Sequence, residues 1–263
     1  MKKTIEIICN EAIDIALATG KYLKDEQQKL SVNAVEEKST RNYVTYIDKE
    51  AERITVEGLK KILPEASFLA EEETVEYEKK EYTWIVDPLD GTTNYVHGDS
   101  PYSVSISLTH NNEIILGIVY DPVLDELYCA TSEGGSTLNG VPIKVSQHPT
   151  LQNGYIGFGI PYHLDERGEG ILKRTTEQYR KSSFRIKGSA AVELCYVAAG
   201  RSDAYFHSGL SPWDVAAGSI ILKRAGGTVT DFSENDNYIF GREIVGSNGL
   251  IHREIMDNII KER

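Results

Sequence analysis

Hydrophobic positions recur at helical spacing in the first part of the chain. From residue 3 to about 28, apolar side chains return every three or four residues, which predicts an amphipathic helix. Residues 31–43 are mostly polar, and an irregular segment is expected there. A second helix is predicted from near Asp48 to Leu63, where Pro64 ends it.

Runs of β-branched and aromatic residues then predict a set of strands. These runs cover residues 67–70, 82–86, 102–109, 114–120 and 127–130. Within 102–109 apolar residues alternate with Ser or Thr, a pattern typical of a strand that is buried on one face only. Asn139-Gly140 predicts a tight hairpin. The first half of the chain, to about residue 145, should therefore place two helices against an antiparallel sheet.

Helices and strands alternate in the second half. Helices are predicted over 165–181, 189–199, 212–225 and 249–261, with strands over 155–160, 184–187, 204–206, 228–230 and 244–245. This order favours a second α/β layer, and no flexible linker separates it from the first half. We therefore expect an α+β fold in one domain over residues 1–263, with halves at about 1–145 and 146–263.

Charge narrows the classes of function. The chain has 263 residues and a formal net charge of −12, with 26% charged residues and 40% hydrophobic residues. This acidity argues against a general binder of nucleic acid or of acidic membranes. An acidic protein that acts on phosphates needs a cation between its own negative charges and those of the phosphate. Carboxylates are the groups that could bind such a cation.

The cysteines and the start of the chain bear on the compartment. Cys9, Cys129 and Cys195 lie far apart and lack the spacing of a zinc site, so each is expected to be a small core residue in a reducing compartment. The first residues contain an early acid and no long apolar run, so neither a signal peptide nor a transmembrane helix is predicted. A cytoplasmic protein without membrane contact is the resulting expectation.

Candidate chemistry is densest in residues 84–94, WIVDPLDGTTN. Asp87 and Asp90 follow a predicted buried strand that Pro88 should stop. Gly91 allows the backbone to approach a ligand closely, and Thr92 begins a predicted short helix. The two acids can hold a hard divalent cation, and the free N–H groups can hold a phosphate. Asp-Pro and Asp-Gly are also ordinary turn sequences, and this alternative stays open for the segment taken alone.

Three further acids lie where apolar segments meet turns or helix starts. Glu71 ends a predicted strand, Asp48 precedes the second helix, and Asp214 lies in the first turn of a helix of small apolar residues. Such residues can be metal ligands, but an aspartate at a helix start can also be a cap or a partner of the helix dipole. That alternative is stronger for Asp48 and Asp214 than for the pair in residues 84–94.

The order of these segments resembles a known family. FLAEE at 68–72, WIVDPLDGTTN at 84–94 and WDVAAG at 213–218 resemble the inositol monophosphatase family, over the chain from the first helix to about residue 250. The family comprises magnesium-dependent, lithium-sensitive phosphomonoesterases and is usually homodimeric. The resemblance implies a layered α/β/α/β/α sandwich of the sugar-phosphatase type. The small-residue helix around Cys195 suits tight packing, including packing at a dimer interface.

The resemblance also implies metal ligands. Glu71, Asp87 and the carbonyl of Leu89 correspond to ligands of one Mg²⁺ ion. Asp87, Asp90 and Asp214 correspond to ligands of a second ion, and the resemblance gives Glu71 a share in a third, weaker ion. Carboxylate and carbonyl oxygens are the ligands that Mg²⁺ prefers.

Further implied roles concern phosphate and water. The backbone N–H groups of Gly91 and Thr92 resemble a phosphate cradle, next to Asp90 in the substrate site. Thr92 paired with Asp48 resembles the couple that orients the attacking water, with Glu71 as the alternative base. Two cations about 3.5–4 Å apart can clamp the attacking and leaving oxygens of such a displacement.

The substrate side departs from the family pattern at two places. Gly188-Ser189-Ala190 matches the family's sugar-contacting loop, but His207 stands where many members carry an acid that grips a sugar hydroxyl. His207 can still contact substrate, or it can simply cap a strand and face solvent. Lys38 resembles a lysine of the loop near the metals, although the segment between Lys38 and Asp48 is about one residue short. An exposed structural lysine is the alternative.

The combined expectation is Mg²⁺-dependent hydrolysis of a small phosphomonoester such as inositol monophosphate or a similar polyol or sugar phosphate. Alternative substrates on the same scaffold are 3′-phosphoadenosine-5′-phosphate, fructose-1,6-bisphosphate and NADP. A rival of another class is a regulatory protein of the same fold that binds a partner such as RNA polymerase. The acidic charge and the complete set of acids both count against that rival.

Overall fold

A computed structural model describes residues 4–29, 35–39, 42–161 and 163–261, with the backbone alone for 35–39 and 42–45. The helices are α1 (Ile5–Gln27), α2 (Tyr46–Ile62), α3 (Thr92–Val96), α4 (Glu166–Gln178), α5 (Ala190–Ala198), α6 (Pro212–Arg224) and α7 (His252–Ile255), and α7 continues as a π-helical turn, Met256–Ile260. The strands are β1 (Val35–Ser39), β2 (Asn42–Thr45), β3 (Ser67–Ala70), β4 (Tyr82–Asp90), β5 (Ser103–His110), β6 (Glu113–Asp121), β7 (Glu126–Thr131), β8 (Ser136–Leu138), β9 (Val141–Pro142), β10 (Tyr155–Phe158), β11 (Ser183–Arg185), β12 (Ala204–Ser208), β13 (Thr228–Thr230) and β14 (Glu243–Ser247).

The first sheet has seven strands in chain order, from β3 to β9. Only β3 and β4 run parallel, and the other neighbours are antiparallel. The apolar stripes of α1 and α2 cover one face, and their core includes Leu23, Leu59, Trp84 and Ile106. Helical spacing and strand alternation thus meet in one core, as the sequence predicted.

The other face of this sheet is also covered, contrary to expectation. Ser103, Ser105 and Ser107 alternate with the apolar residues of β5, yet they are at most 1% exposed. Helix α6 packs on them, and the hydroxyl of Ser105 donates to the Trp213 carbonyl at 3.0 Å. The prediction of a half-buried strand is therefore wrong, because the small serine side chains let helix α6 approach this face closely.

The second sheet has five strands in the order β11-β10-β12-β14-β13. Helices α5 and α6 lie between the two sheets and share a core with Tyr128 of the first sheet and Ile244 of the second. Helices α4 and α7 cover the outer face of the second sheet through Ile171 and Ile255. The layers are therefore α/β/α/β/α, and the predicted α+β sandwich is confirmed.

Several local expectations need correction. Part of the predicted irregular segment 31–43 is a hairpin, in which β1 pairs with β2. Pro88 does not end its strand, because β4 continues to Asp90 with an irregular register after Asp87. Every residue of α5 is buried within the single chain, so this helix is not a dimer surface.

The predicted tight hairpin is present. β8 and β9 pair through Leu138 and Val141 across Asn139-Gly140, as expected for a tight hairpin. Both turn residues have the positive φ values, 49° and 76°, that such a turn requires. No helix within the described ranges is long and apolar enough to cross a membrane.

The close packing of α6 on the first sheet can be tested at Gly117. A Cβ at this position would lie 2.5 Å from Ile220 Cγ2 and 2.6 Å from the Ala217 carbonyl oxygen. We expect Gly117→Ala to lower the free energy of unfolding by about 1–3 kcal/mol through overpacking, measured by urea denaturation. Gly135→Ala is the control, since nothing lies within 4 Å of a Cβ there, and equal losses in both variants would contradict the packing argument.

Candidate active site

The parallel pairing of β3 with β4 places two acids side by side. Ala70 pairs with Val86, and the N–H of Glu71 donates to the Val86 carbonyl at 3.3 Å. Glu71 and Asp87 therefore leave the same edge of the sheet, and their side chains are hydrogen-bonded to each other. The sequence predicted both acids at strand ends, and the strand pairing brings them together.

Three aspartates converge at this edge. Ligand oxygens of Asp87, Asp90 and Asp214 all lie within 4.8 Å of one another. In a regular strand Asp87 and Asp90 would point to opposite faces, because they are three residues apart. The register shift between them re-aims the chain, so both reach one cluster. Asp214 comes from the first turn of α6.

Each aspartate is held by hydrogen-bond donors. The N–H of Leu89 donates to Asp87 Oδ1 at 2.9 Å, and the N–H of Ser211 donates to Asp214 Oδ2 at 2.6 Å. Asp90 Oδ2 accepts the Ser189 hydroxyl at 2.6 Å and the Ala191 N–H at 2.8 Å. These bonds, from neighbouring backbone and from the start of α5, orient the carboxylates before any ligand binds.

Burial makes this cluster electrostatically unfavourable without a cation. Asp87 is 1% exposed, and burial together with the charges of Glu71, Asp90 and Asp214 raises its pKa well above the ordinary value. Burial raises the pKa of Asp90 to about 6. The pKa of Asp214 rises to about 7 through burial and then through the charge of Asp90. Protons and a divalent cation would therefore compete for the same oxygens.

The donor set fits a hard divalent cation. It consists of carboxylate oxygens, and the predicted ligands Glu71 and Leu89 adjoin the three aspartates in sequence or through hydrogen bonds. The carbonyl of Leu89 accepts from the Thr92 hydroxyl at 3.0 Å. Clustered buried acids with raised pKa values are the chemistry that a bound cation relieves.

The predicted water-orienting couple is also assembled. Thr92 Oγ1 lies 3.3 Å from Asp48 Oδ1, while its hydroxyl is also within reach of the Leu89 carbonyl. Asp48 is 2% exposed and lies in the first turn of α2. A single hydroxyl proton serves both acceptors, so the Thr92 oxygen keeps lone pairs free to accept a hydrogen bond from a water molecule.

Gly91 has the geometry that the short helix α3 needs at its start. Its φ is 93°, a region that L side chains rarely adopt. A Cβ at this position would lie 2.9 Å from the Pro101 carbonyl. The first N–H groups of a helix have no acceptor within the helix, so those of Gly91 and Thr92 are suited to an anion.

The segment predicted to contact sugar is tied to the acids. Asn94 Nδ2 donates to the carbonyls of Lys187 and Pro101, each at 2.7 Å. Gly188 has a φ of 88°, Ser189 is 1% exposed, and Ala190 is 6% exposed. The Ser189 hydroxyl serves Asp90, so a substrate would meet this segment at Gly188 and at its backbone.

His207 is neither charged nor turned to solvent. It is half-buried in β12, and its imidazole fills the space that a side chain at Gly159 would need. Its Nδ1 atom is buried without a hydrogen-bond partner within the described chain, and burial lowers the pKa of the ring to about 4. The alternative of an exposed cap is therefore wrong, and the ring is a neutral group at physiological pH.

One predicted residue, Lys38, has a side chain that lies outside the described part of the structure. The sequence analysis also missed several residues of the site. Lys38 belongs to β1, where the structure describes the backbone alone. Among the missed residues, Asn94 joins α3 to residue 187, Arg242 acts electrostatically on Asp214, and Glu52 binds the backbone after Glu71. Glu52 follows Asp48 by one helical turn, a spacing that could have indicated its direction.

The fold matches that of a solved inositol monophosphatase, and the similar proteins indicate a phosphomonoesterase. The chain belongs to the inositol monophosphatase family, whose model matches residues 5–263. That family is generally metal-dependent, in keeping with the acidic cluster. The family resemblance expected from the sequence is confirmed.

Similar proteins carry several names. The chain is 36% identical to the Nus factor SuhB of Vibrio cholerae, covering 95% of this chain and 94% of that protein. It is 40% identical to the fructose-1,6-bisphosphatase/inositol-1-monophosphatase of Thermotoga maritima, covering 86% of each. The inositol monophosphatase structure from Anabaena is 34% identical, with a TM-score of 0.85 and coverage of 98% of this chain and 97% of that one.

The raised pKa values predict how stability depends on pH and Mg²⁺. In metal-free protein the pKa values of Asp90 and Asp214, about 6 and about 7, exceed those of the unfolded chain. Their contribution is therefore fully present below about pH 4 and lost as the pH rises through 7. We expect Mg²⁺ to raise the Tm more at about pH 8 than at about pH 5.5, measured by thermal unfolding against a chelator. Equal shifts at both pH values would contradict the assignment.

Proposed function

We propose that the protein hydrolyses a small phosphomonoester, such as inositol monophosphate or a related polyol or sugar phosphate, with Mg²⁺ as cofactor. The observation that carries this proposal is the convergence of Asp87, Asp90 and Asp214 within 4.8 Å. These acids lie beside the start of α3 and next to the Thr92–Asp48 pair. One site thus combines acids that could bind a cation, N–H groups that could bind a phosphate and a hydroxyl that could orient a water molecule.

Five groups would bind two or three Mg²⁺ ions. They are the side chains of Glu71, Asp87, Asp90 and Asp214 and the carbonyl of Leu89. Bound there, Mg²⁺ would neutralise phosphate charge and lower the pKa of a water molecule. Groups of the protein itself would bind the phosphate and orient the water.

The chain would position the phosphate and the proton. The N–H groups of Gly91 and Thr92 would bind phosphate oxygens at the start of α3. The Thr92 hydroxyl would accept a hydrogen bond from the attacking water, and Asp48 would hold the hydroxyl in orientation. Glu71 is the alternative base, since it reaches the same edge of the sheet.

Two observations bear on the substrate. The Thermotoga relative is named for fructose-1,6-bisphosphate and inositol-1-phosphate, both esters of small polyhydroxy compounds. His207 is neutral, so in place of a charged acid it would offer a substrate hydroxyl one uncharged hydrogen bond. We therefore favour a polyol or sugar phosphate and retain 3′-phosphoadenosine-5′-phosphate and NADP as alternatives.

A regulatory role is the second candidate. The Vibrio relative is named a Nus factor, and its identity of 36% extends over almost the whole chain. In that case a cytoplasmic homodimer would bind a protein partner, because a net charge of −12 does not favour direct contact with nucleic acid. This role and hydrolysis can coexist on one chain, since one uses a surface and the other a buried site.

Replacement of Asp90 tests the hydrolytic site. Asp90→Asn keeps the shape of the side chain but removes a buried negative charge, so we expect phosphate release to fall by at least about 10³-fold. Circular dichroism and the Tm should show an intact fold. Asp257→Asn, at an exposed acid with 49% side-chain exposure, is the control and should be fully active.

The assay itself decides the substrate. Phosphate release would be measured with and without Mg²⁺ and with added Li⁺ on inositol monophosphate, fructose-1,6-bisphosphate, adenosine 3′,5′-bisphosphate and NADP. We expect Mg²⁺-dependent, Li⁺-inhibited release from one of the first two. Full activity of Asp90→Asn would refute the site, while a partner retained by this variant would support the regulatory role.

The Thr92 hydroxyl is tested separately. Thr92→Val preserves the shape but removes the proton acceptor, so kcat should fall by about 10²–10⁴-fold with little change in metal affinity. Thr92→Ser should keep most of the activity. A Thr92→Val enzyme with normal kcat would exclude this couple and leave Glu71 as the base.

A further inference from the structure

Two cysteines that are distant in sequence meet in the first core. Cys9 lies in α1 and Cys129 in β7, and their sulfur atoms are 3.1 Å apart. Both are free thiols, and they are 6% and 9% exposed. The third cysteine, Cys195, lies in α5 within the core between the two sheets. The pair therefore lies in a different core from the remaining thiol.

The distance between the two sulfur atoms is short, so only a small movement is needed to form a covalent bond. A disulfide has an S–S length of ~2.05 Å, so the sulfurs need to approach by about 1 Å. Side-chain rotation can supply that, because α1 already packs on β6 and β7. Either sulfur can donate the hydrogen bond between them, and the bond lowers the pKa of Cys9 when Cys129 is the donor.

We propose that Cys9 and Cys129 form a site of reversible oxidative modification, a disulfide that joins α1 to β7. With a small disulfide as oxidant, the Cys9 thiolate attacks one sulfur, forms a mixed disulfide and releases one thiol. Cys129 then loses its proton, attacks the Cys9 sulfur and displaces the second thiol. Two electrons and two protons pass from the pair to the reagent, which leaves as two thiols.

The consequence is a large closed loop. The cysteines are 120 positions apart, and a cross-link of that span restricts the unfolded chain more than a short one. We expect the oxidised protein to have a higher Tm, by roughly 5 °C or more. A thiol reductant should reverse the shift.

The test is oxidation of the full chain by oxidised glutathione. Free thiols should fall from three to one, and peptide mass spectrometry without reductant should recover Cys9 linked to Cys129. Cys195→Ser should show the same link and the same Tm shift, whereas Cys9→Ser should show neither. Three thiols after prolonged oxidation, or a link that contains Cys195, would overturn the proposal.

A different observation carries a second inference, on the turn after β3. Glu52 of α2 is fully buried, and its carboxylate accepts three hydrogen bonds from this turn. The N–H of Glu72 donates at 2.6 Å, and Thr74 donates its N–H at 2.8 Å and its hydroxyl at 2.6 Å. The Glu52 carboxylate is thus satisfied by one short loop.

The backbone of this loop is shaped around the carboxylate. Glu73 has a φ of 52°, in the left-handed region that is unfavourable for a residue with a side chain. A residue in this conformation between two others turns successive N–H groups toward one point, which forms a concave anion site. The Glu52 carboxylate fills that site, so it stabilises a turn that the chain would otherwise disfavour.

We infer that Glu52 is a positioning residue for Glu71. It fixes the backbone from residue 72 onward and thereby fixes the direction in which Glu71 leaves β3. Asp48 is one turn earlier on the same helix, so α2 would orient both the Thr92 hydroxyl and a metal ligand. This inference rests on the proposed function, in which Glu71 binds the cation.

The test is Glu52→Gln, which keeps the shape but replaces one acceptor oxygen with a donor. Hydrogen exchange of the amides at 72–74 should become about tenfold faster or more. Mn²⁺ affinity, measured by calorimetry, should fall about 10-fold. Glu50→Gln is the control, since Glu50 pairs with Arg53 on the exposed side of the same helix.

The outcomes separate this inference from the proposed function. Faster exchange with unchanged Mn²⁺ affinity would overturn the positioning role, provided that Asp90→Asn weakens Mn²⁺ binding. Unchanged exchange would overturn the role of Glu52 in holding the turn. No Mn²⁺ binding to the unaltered protein would instead refute the proposed function.

Discussion

The repulsion among buried carboxylates is the constraint on which this structure depends. Burial raises the pKa of Asp87, Asp90 and Asp214, and the charges of neighbouring acids raise the pKa of Asp87 and Asp214 further. Such a cluster is tolerable only when it is protonated or when a cation is bound. The hydrogen bonds from backbone N–H groups and from Ser189 orient the oxygens but do not cancel their charge. The fold thus maintains an arrangement that is unfavourable alone and becomes favourable with a divalent cation.

The layered architecture is what makes this gathering possible. Helix α6 lies between the two sheets and carries Asp214 from the second half of the chain to the edge of the first sheet. Its approach requires a sheet surface of small residues, which the serines of β5 and Gly117 of β6 provide. Helix α5 adds the bond from Ser189 to Asp90. The site is therefore a junction between both halves, so packing far from the acids has consequences for their geometry.

The same scaffold is shared by relatives with different names, among them a Nus factor and a bisphosphatase/monophosphatase. In the proposed function the acids and the start of α3 would serve phosphate chemistry in general, so they would not distinguish substrates. Differences among relatives should lie where the leaving group binds, and in the proposed function that side would contain Gly188 and the neutral His207. A partner would be recognised on the outer surface, which is independent of the buried acids. Substrate and partner can therefore vary while the central cluster stays the same.

The sequence by itself determined the family, the two aspartates of β4 and the order of the elements apart from the β1–β2 hairpin, because periodicity and a short motif are local properties. It did not determine that β5 is buried on both faces, that β4 continues through Pro88, or that α5 lies inside the chain. Each of these features depends on which surface a remote segment covers. The alternation of polar and apolar residues along one strand does not reveal that segment. The Glu52 bonds and the Cys9–Cys129 contact likewise join residues whose spacing in the sequence signals no contact. Only tertiary packing decides them, since burial and hydrogen bonding are settled between segments and not within one.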